Sequence, residues 1–494
     1  MPPDPWVLRS NPQVRIRGDY VRCLHCLASA ASCDGSLDLS YYVLHAFDIA
    51  VALTPMASPA AQKRANVVVS RLIPPVLLGA VVYASYAVTK PLCIDYLIHP
   101  LPSYDRGPRV GAGAAILTVY YVLLIPMVVT YLHLYYHVLW NPGYLPIGDQ
   151  KLHDDQSDEN EKKSKKSHRR RHRKSARKAE TEKTTQSDTD VERGLGPMSG
   201  GVKSESDLDL ESFYTKDVFV CQQDGRPLWC STCCQYKTDR AHHCRELGRC
   251  VRKMDHFCPW VGGVVSETSF KFFIQFVVYT CIYCTFALIV SAYFTAEIRR
   301  NTGGANPYWC VCIGLSGLFA FFTAGMTLSS VQMGIFNITT IENLNRRTAV
   351  WTLAIRVPEH MLDRLWDTQS PWAPTFPMVS YPPEVSTSDQ PQETNPSTGE
   401  RHVFAILHTQ PGENPFDLGT PIKNLRQVMG HSIADWLLPI KQSPCADHSS
   451  MESHYAFGPV VTRLKQEAGL VPPDNGAVPT PPQSGRNQPE KNTH

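Results

Sequence analysis

Apolar residues gather in four blocks along this chain. They cover residues 72–89, 114–139, 272–293 and 309–331, each at or near the roughly 20 apolar residues that carry a helix across a bilayer. One such block is compatible with a buried core helix; four of bilayer length predict four transmembrane helices. Pro and Gly inside the blocks do not argue against this, because spanning helices tolerate them. Tyr120, Tyr121, Trp140 and Trp309 stand near block ends, where amphipathic rings favour the membrane–water boundary.

The polar stretches set the expected orientation. Lys63, Arg64 and Arg71 precede the first block, "KKSKKSHRRRHRKSARK" (162–178) lies between the second and third, and Arg346 and Arg347 follow the fourth. The positive-inside rule then puts residues 140–271 and both termini in the cytosol, with the short loops 90–113 and 294–308 across the membrane. The basic run reads as a linker attracted to anionic lipid rather than a nucleic-acid site. Segments 370–400 and 470–494, rich in Pro, Ser, Thr, Asn and Gln, read as disordered. Between them, "NPFDLGTPIKNLRQVMG" (414–430) mixes turn residues with apolar anchors and is expected to be ordered. Met56 is a natural start for a chain that opens on its first span, which makes residues 1–55 an expected extension.

Sixteen cysteines in 494 residues raise the question of disulfides. Several lie inside apolar blocks, and another group stands beside His at tight spacing, the pattern of reduced, metal-binding or catalytic thiols. Cys230 and Cys233 form a C-x-x-C pair, and His243 with Cys250 completes a Cys₃His set of the kind that holds structural zinc. A few residues on comes "MDHFCPW" (254–260), with an acid, an imidazole and a thiol at Asp255, His256 and Cys258.

These residues resemble the DHHC protein S-acyltransferases, or palmitoyltransferases. The family's cysteine-rich domain reads C-x2-C-x9-H-C-x2-C-x2-C-x4-D-H-H-C followed by Pro-Trp and a further Cys. Cys230, Cys233, His243, Cys244, Cys250, Asp255, His256, Cys258, Pro259 and Trp260 fall in register with it. "NPG" (141–143) resembles the family's Asp-Pro-Gly after the second span, and "TTIE" (339–342) its Thr-Thr-x-Glu after the fourth. The element around Asn424 resembles its C-terminal motif. The variant Asp-His-Phe-Cys points to a fungal branch.

The departures fall on one place. The family interleaves two zinc sites, the second on the positions of Cys244, Leu247, Phe257 and Val264, where only Cys244 remains a ligand. The resemblance therefore implies one structural zinc, on Cys230, Cys233, His243 and Cys250, with apolar packing in place of the other. Gly262 and Gly263, where the family has an Asn pair, are expected to leave the loop before the third span freer.

The resemblance implies an α-helical polytopic membrane protein with four transmembrane helices and a small cytosolic zinc-binding cysteine-rich domain. The expected plan is a cytosolic N-terminal region (1–71), a basic linker (140–227), the catalytic domain (228–271) and a cytosolic C-terminal tail (332–494), mostly disordered, with an ordered element at 414–430. It implies transfer of palmitate from palmitoyl-CoA to cysteine thiols of proteins at the lipid bilayer. Cys258 is the expected nucleophile, His256 its base and Asp255 the support of the imidazole. Arg240, Arg249, Arg252 and Lys253 are candidate contacts for the CoA phosphates. The lost second zinc site motivates the competing expectation of an inactive, zinc-stabilised scaffold.

Overall fold

The computed structural model describes residues 59–104, 106–148, 151, 210–366, 376–381 and 402–471, all within one compact unit, Met56–His494. Residues 1–55 and the basic run 162–178 lie outside the described residues.

Among the described residues four helices are long and apolar enough to cross a membrane: Ala60–Ile98, Val110–Trp140, Phe270–Thr302 and Pro307–Phe336. Each outruns its apolar block, because a helix that satisfies its own backbone hydrogen bonds in lipid continues until its caps stop it. The first span opens before Lys63 and ends in a wide-turn π-helical stretch, Val88–Ile98, around Pro91. The third is the central helix: half of its most apolar window is buried inside the protein, against 6–17% for the others. It also carries Glu297, beyond the apolar block. The carboxylate accepts hydrogen bonds from Tyr96 Oη at 2.7 Å, from Arg109 at 2.7 and 3.1 Å, and from Arg106, fastening the loop between the first two spans to the third.

Ten short strands build the polar part: β1 Val218–Val220, β2 Trp229–Cys230, β3 Gln235–Tyr236, β4 His242–Cys244, β5 Arg249–Val251, β6 His256–Cys258, β7 Gly263–Val265, β8 Thr352–Arg356, β9 Met378–Tyr381 and β10 His402–His408. The pairs β2–β3, β4–β5 and β6–β7 are antiparallel and carry the Cys/His block. The others form an antiparallel sheet in the order β1-β8-β10-β9, packed on Phe213, Phe219, Phe404 and Ile406. Its members come from the end of the linker and from the C-terminal region. Order there extends well past 414–430, over 402–471, because strands of three to seven residues find partners far away in sequence that no local pattern announces.

The "NPG" turn plugs the second span into this domain. Thr268 Oγ1 donates to Asn141 O at 2.6 Å, Ser266 Oγ to Pro142 O at 2.8 Å, and Arg252 N to Gly143 O at 2.9 Å. Gly143 takes a φ of +76°, which a side chain would resist.

Candidate active site and metal centre

The β2–β3 and β4–β5 hairpins bring Cys230, Cys233, His243 and Cys250 together, their donor atoms all within 4.8 Å of one another. His243 faces Cys250 directly across β4–β5, and its Nδ1 lies 3.3 Å from Cys233 Sγ, 3.7 Å from Cys230 Sγ and 3.9 Å from Cys250 Sγ. Metal–sulfur bonds of about 2.3 Å in a tetrahedron place sulfurs under 4 Å apart, so the donor set and its spacing fit zinc. The hydrogen bond between Cys250 and Cys230 raises the first thiol and lowers the second, to about 4. The chain just after the second span seals the site: Leu145 N donates to Cys250 O and Gly148 N to Cys233 O, both at 3.0 Å.

Cys244, Leu247, Phe257 and Val264 gather into one apolar cluster with Val251 and Met254. Phe257 and Val264 stand directly opposite each other on β6–β7, and Cys244 is fully buried. Burial pushes the Cys244 thiol up to about 11.

Strand periodicity accounts for Phe257 sitting between His256 and Cys258. Alternate residues of a strand face opposite ways. Phe257 turns to the apolar cluster, while His256 and Cys258 share the other face of β6. There His256 Nδ1 bonds Asp255 Oδ2 at 2.6 Å. Asp255 is buried, and its two oxygens accept from Thr340 N and Thr340 Oγ1, each at 2.9 Å. Burial opposes the Asp255 charge, but His256 and Thr340 hold the carboxyl below its ordinary value. Burial likewise opposes the imidazolium, yet Asp255 and then Cys258 raise His256 to about 10. His256 Nε2 is buried and has no hydrogen-bond partner. Cys258 is buried among apolar neighbours, at the start of the Pro259–Val261 turn. Such a set can hold a proton on the imidazole beside a nucleophilic sulfur.

The turn after Cys258 is tightly fitted, which corrects the expected loose loop. Gly262 has a φ of +82°, and an added Cβ would lie 3.1 Å from Tyr135; at Gly263 it would lie 2.7 Å from Val138. The glycines let the turn press against the second span. Trp260 packs on the fourth span, with ring centroids 5.2 Å from Phe322 and 6.2 Å from Phe319.

Thr340 has no counterpart among the residues expected in the site. It belongs to the short helix Thr340–Leu344, whose capping box joins Thr339 and Glu342. Glu342 accepts from Arg240 Nε at 2.8 Å and Nη2 at 2.6 Å, and Arg240 also donates to Asn337 Oδ1 and O. Asn337 Nδ2 donates to Phe416 O and to Gln427 Oε1, and Asn424 Nδ2 to Ile335 O. A buried hydrogen-bonded chain thus runs from the C-terminal element past the exit of the fourth span to the helix that braces Asp255. The T-x-x-E signature straight after an apolar span was the readable signal. Arg240→Ala leaves the buried Glu342 without its ion-pair partner and is expected to cost about 3–5 kcal/mol, read as lost thermal stability in detergent.

The four cations expected to face CoA are committed elsewhere. Arg240 pairs with Glu342, Arg249 Nη2 donates to Leu145 O at 2.8 Å, Arg252 Nε to Glu267 at 2.7 Å, and Lys253, buried, to Cys445 Sγ at 3.0 Å.

Fold and site together define a polytopic membrane protein with a thiol, imidazole and carboxylate beside a Cys₃His centre. The family model for DHHC palmitoyltransferases matches residues 223–347. A palmitoyltransferase pfa5 of Aspergillus fumigatus is 62% identical over 418 residues, covering 84% of this chain and 93% of the relative. One from Emericella nidulans is 54% identical over 436 residues, 84% and 89% of the two chains. The rat palmitoyltransferase ZDHHC15 is 28% identical over 262 residues, 53% and 60% of the two. The chain belongs to the DHHC palmitoyltransferase family.

Proposed function

We propose that the protein transfers palmitate from palmitoyl-CoA to cysteine thiols of membrane-associated proteins through an acyl-enzyme on Cys258. The Asp255–His256–Cys258 arrangement, with His256 raised to about 10 and a free Nε2, is the observation that carries this reading.

In the resting enzyme the Cys258 proton is held on His256, and the sulfur attacks the thioester carbonyl. The tetrahedral adduct collapses, the carbon–sulfur bond to CoA breaks, and His256 returns the proton to the leaving CoA thiolate. An acceptor cysteine then gives its proton to His256 and attacks the Cys258 thioester. Cys258 leaves as thiolate and recovers the proton. Asp255 keeps Nδ1 protonated and Nε2 toward sulfur, and Thr340 keeps Asp255 in place. One zinc on Cys230, Cys233, His243 and Cys250 would hold the hairpins and take no part in the chemistry. We place the cysteine-rich domain and both termini in the cytosol, where CoA thioesters and reduced acceptor thiols are found. The division into regions 1–71, 140–227, 228–271 and 332–494 belongs to the same proposal.

Because the folded value for His256 is raised, its proton is present at neutral pH and is lost only as pH climbs through about 10. CoA release from palmitoyl-CoA by protein in lipid nanodiscs should therefore keep its rate into the alkaline range. In Asp255→Asn the alkaline fall should move toward the ordinary imidazole value of about 6.5. Identical profiles for the two proteins would sink the assigned roles, and an absence of CoA release from the native protein would sink the function.

A further inference from the structure

The stretch "HSIADWLLPIK", residues 431–441, follows the helix Pro421–Met429 and includes the short helix Ile433–Leu437. Four of its apolar side chains point away from the protein, Ile433 at 75% exposed, Ile440 at 72%, Leu437 at 55% and Leu438 at 50%, while Trp436 packs against the core. Its backbone is treated in the opposite way. Gln275 Nε2 donates to the carbonyls of Asp435 at 3.2 Å and Trp436 at 2.9 Å, Tyr279 Oη to Leu437 O at 2.7 Å, and Lys271 Nζ to Lys441 O at 2.8 Å. Ser432 and Asp435 close a capping box at the helix start, and Trp436 Nε1 donates to Gly430 O at 2.8 Å.

All the donors to carbonyls 435–441 come from the first turns of the third span. Tyr279 lies about 13 Å along that helix from Phe270, at 1.5 Å per residue. Gln275 and Tyr279 both fall inside the apolar block 272–293, whose length matches the hydrocarbon layer. A segment in water leaves its carbonyls to water and turns its apolar groups inward. Here the carbonyls of residues 435–437 and 441 draw on protein donors and Ile433, Leu437, Leu438 and Ile440 face out, the arrangement that hydrocarbon favours.

We infer that residues 433–440 are a lipid-inserted wedge. The segment lies along the third span in the leaflet that borders the cysteine-rich domain, with Ile433, Leu437, Leu438 and Ile440 among the acyl chains. Its occupant is the bilayer, because Gln275 and Tyr279, which hold its backbone, sit inside the apolar stretch of a helix that is long and apolar enough to cross a membrane. Lys441, with its ammonium 3.4 Å from Asp435, marks the polar end. The wedge fastens the C-terminal element, and with it Asn424 and Gln427, to the membrane. The inference rests on the four spans crossing a bilayer and is independent of the acyl-transfer chemistry.

The test places a genetically encoded fluorescent amino acid at Ile433, Ile440 or, as the control, exposed Ser450 in the full chain reconstituted in phosphatidylcholine vesicles. Lipid spin-labelled near the head of its acyl chain should quench the probes at 433 and 440 about threefold more than the probe at 450, and aqueous iodide should show the reverse order. A photoreactive benzophenone residue at 433 and 440 should crosslink to lipid. Iodide quenching at 433 and 440 equal to that at 450, or crosslinks to a second protein copy in place of lipid, would overturn the wedge.

Discussion

Cys258→Ala is expected to lose all hydroxylamine-sensitive label when the protein is given an alkyne analogue of palmitate, and to lose transfer to acceptor proteins with it. The substitution removes one sulfur and leaves the Cβ, so the apolar surroundings of Cys258 change little. The hydrogen bonds of Asp255 to His256 and Thr340 do not involve Cys258, so the frame of the site should survive. The chemistry should not: no other group present can take the acyl chain at that point, and deletion of a nucleophile costs on the order of a thousandfold or more in rate. His256→Ala should retain the sulfur and give weakened label, because a thiol keeps some thiolate without a base. Equal label in wild type and Cys258→Ala would move the acyl group elsewhere, with Cys234 the first position to examine, and would favour the scaffold reading.

What could be read from the sequence was what is coded locally. Four apolar blocks gave four spans because crossing lipid is a demand on consecutive residues. Cys230, Cys233, His243 and Cys250 could be grouped because ligand spacing is short and the hairpins between them are tight. Phe257 was harder. Its meaning depends on β6 being a strand, which sends it to the side of Val264 and leaves His256 and Cys258 together. The partners of Asp255 were out of reach, since Thr340 stands 85 residues away and only the fourth span and the capping box bring it back. The same holds for the sheet, in which Val218 pairs with Ile355. Arg240 stood as a candidate for CoA for a related reason: a cation in a polar-looking run reads as exposed until its buried carboxylate is found on a distant element.

Metal content is the second large effect. Structural zinc in small domains carries apparent binding energies of about 10–16 kcal/mol, comparable to or greater than the whole stability of such a fold. One zinc per chain is therefore expected, and Cys250→Ser or a strong chelator should unfold the β2–β5 hairpins and abolish acyl-enzyme formation. On the other cluster, full burial of Val264 supplies about 1.5–3 kcal/mol and the partly buried Leu247 and Phe257 supply less, below what a metal gives but without any need for one. The geometry makes this reversible by design. Phe257 and Val264 oppose each other on β6–β7, Cys244 is already in the cluster, and Leu247 packs against it. The triple change Leu247→Cys, Phe257→His and Val264→Cys places three thiols and an imidazole on one site. It should raise the zinc content of the purified protein from one to two while leaving Cys258 able to take the acyl chain. A native content of two would mean that the apolar cluster is no substitute for a metal, and a triple variant that folds yet stays at one zinc would mean that the positions no longer converge as ligands.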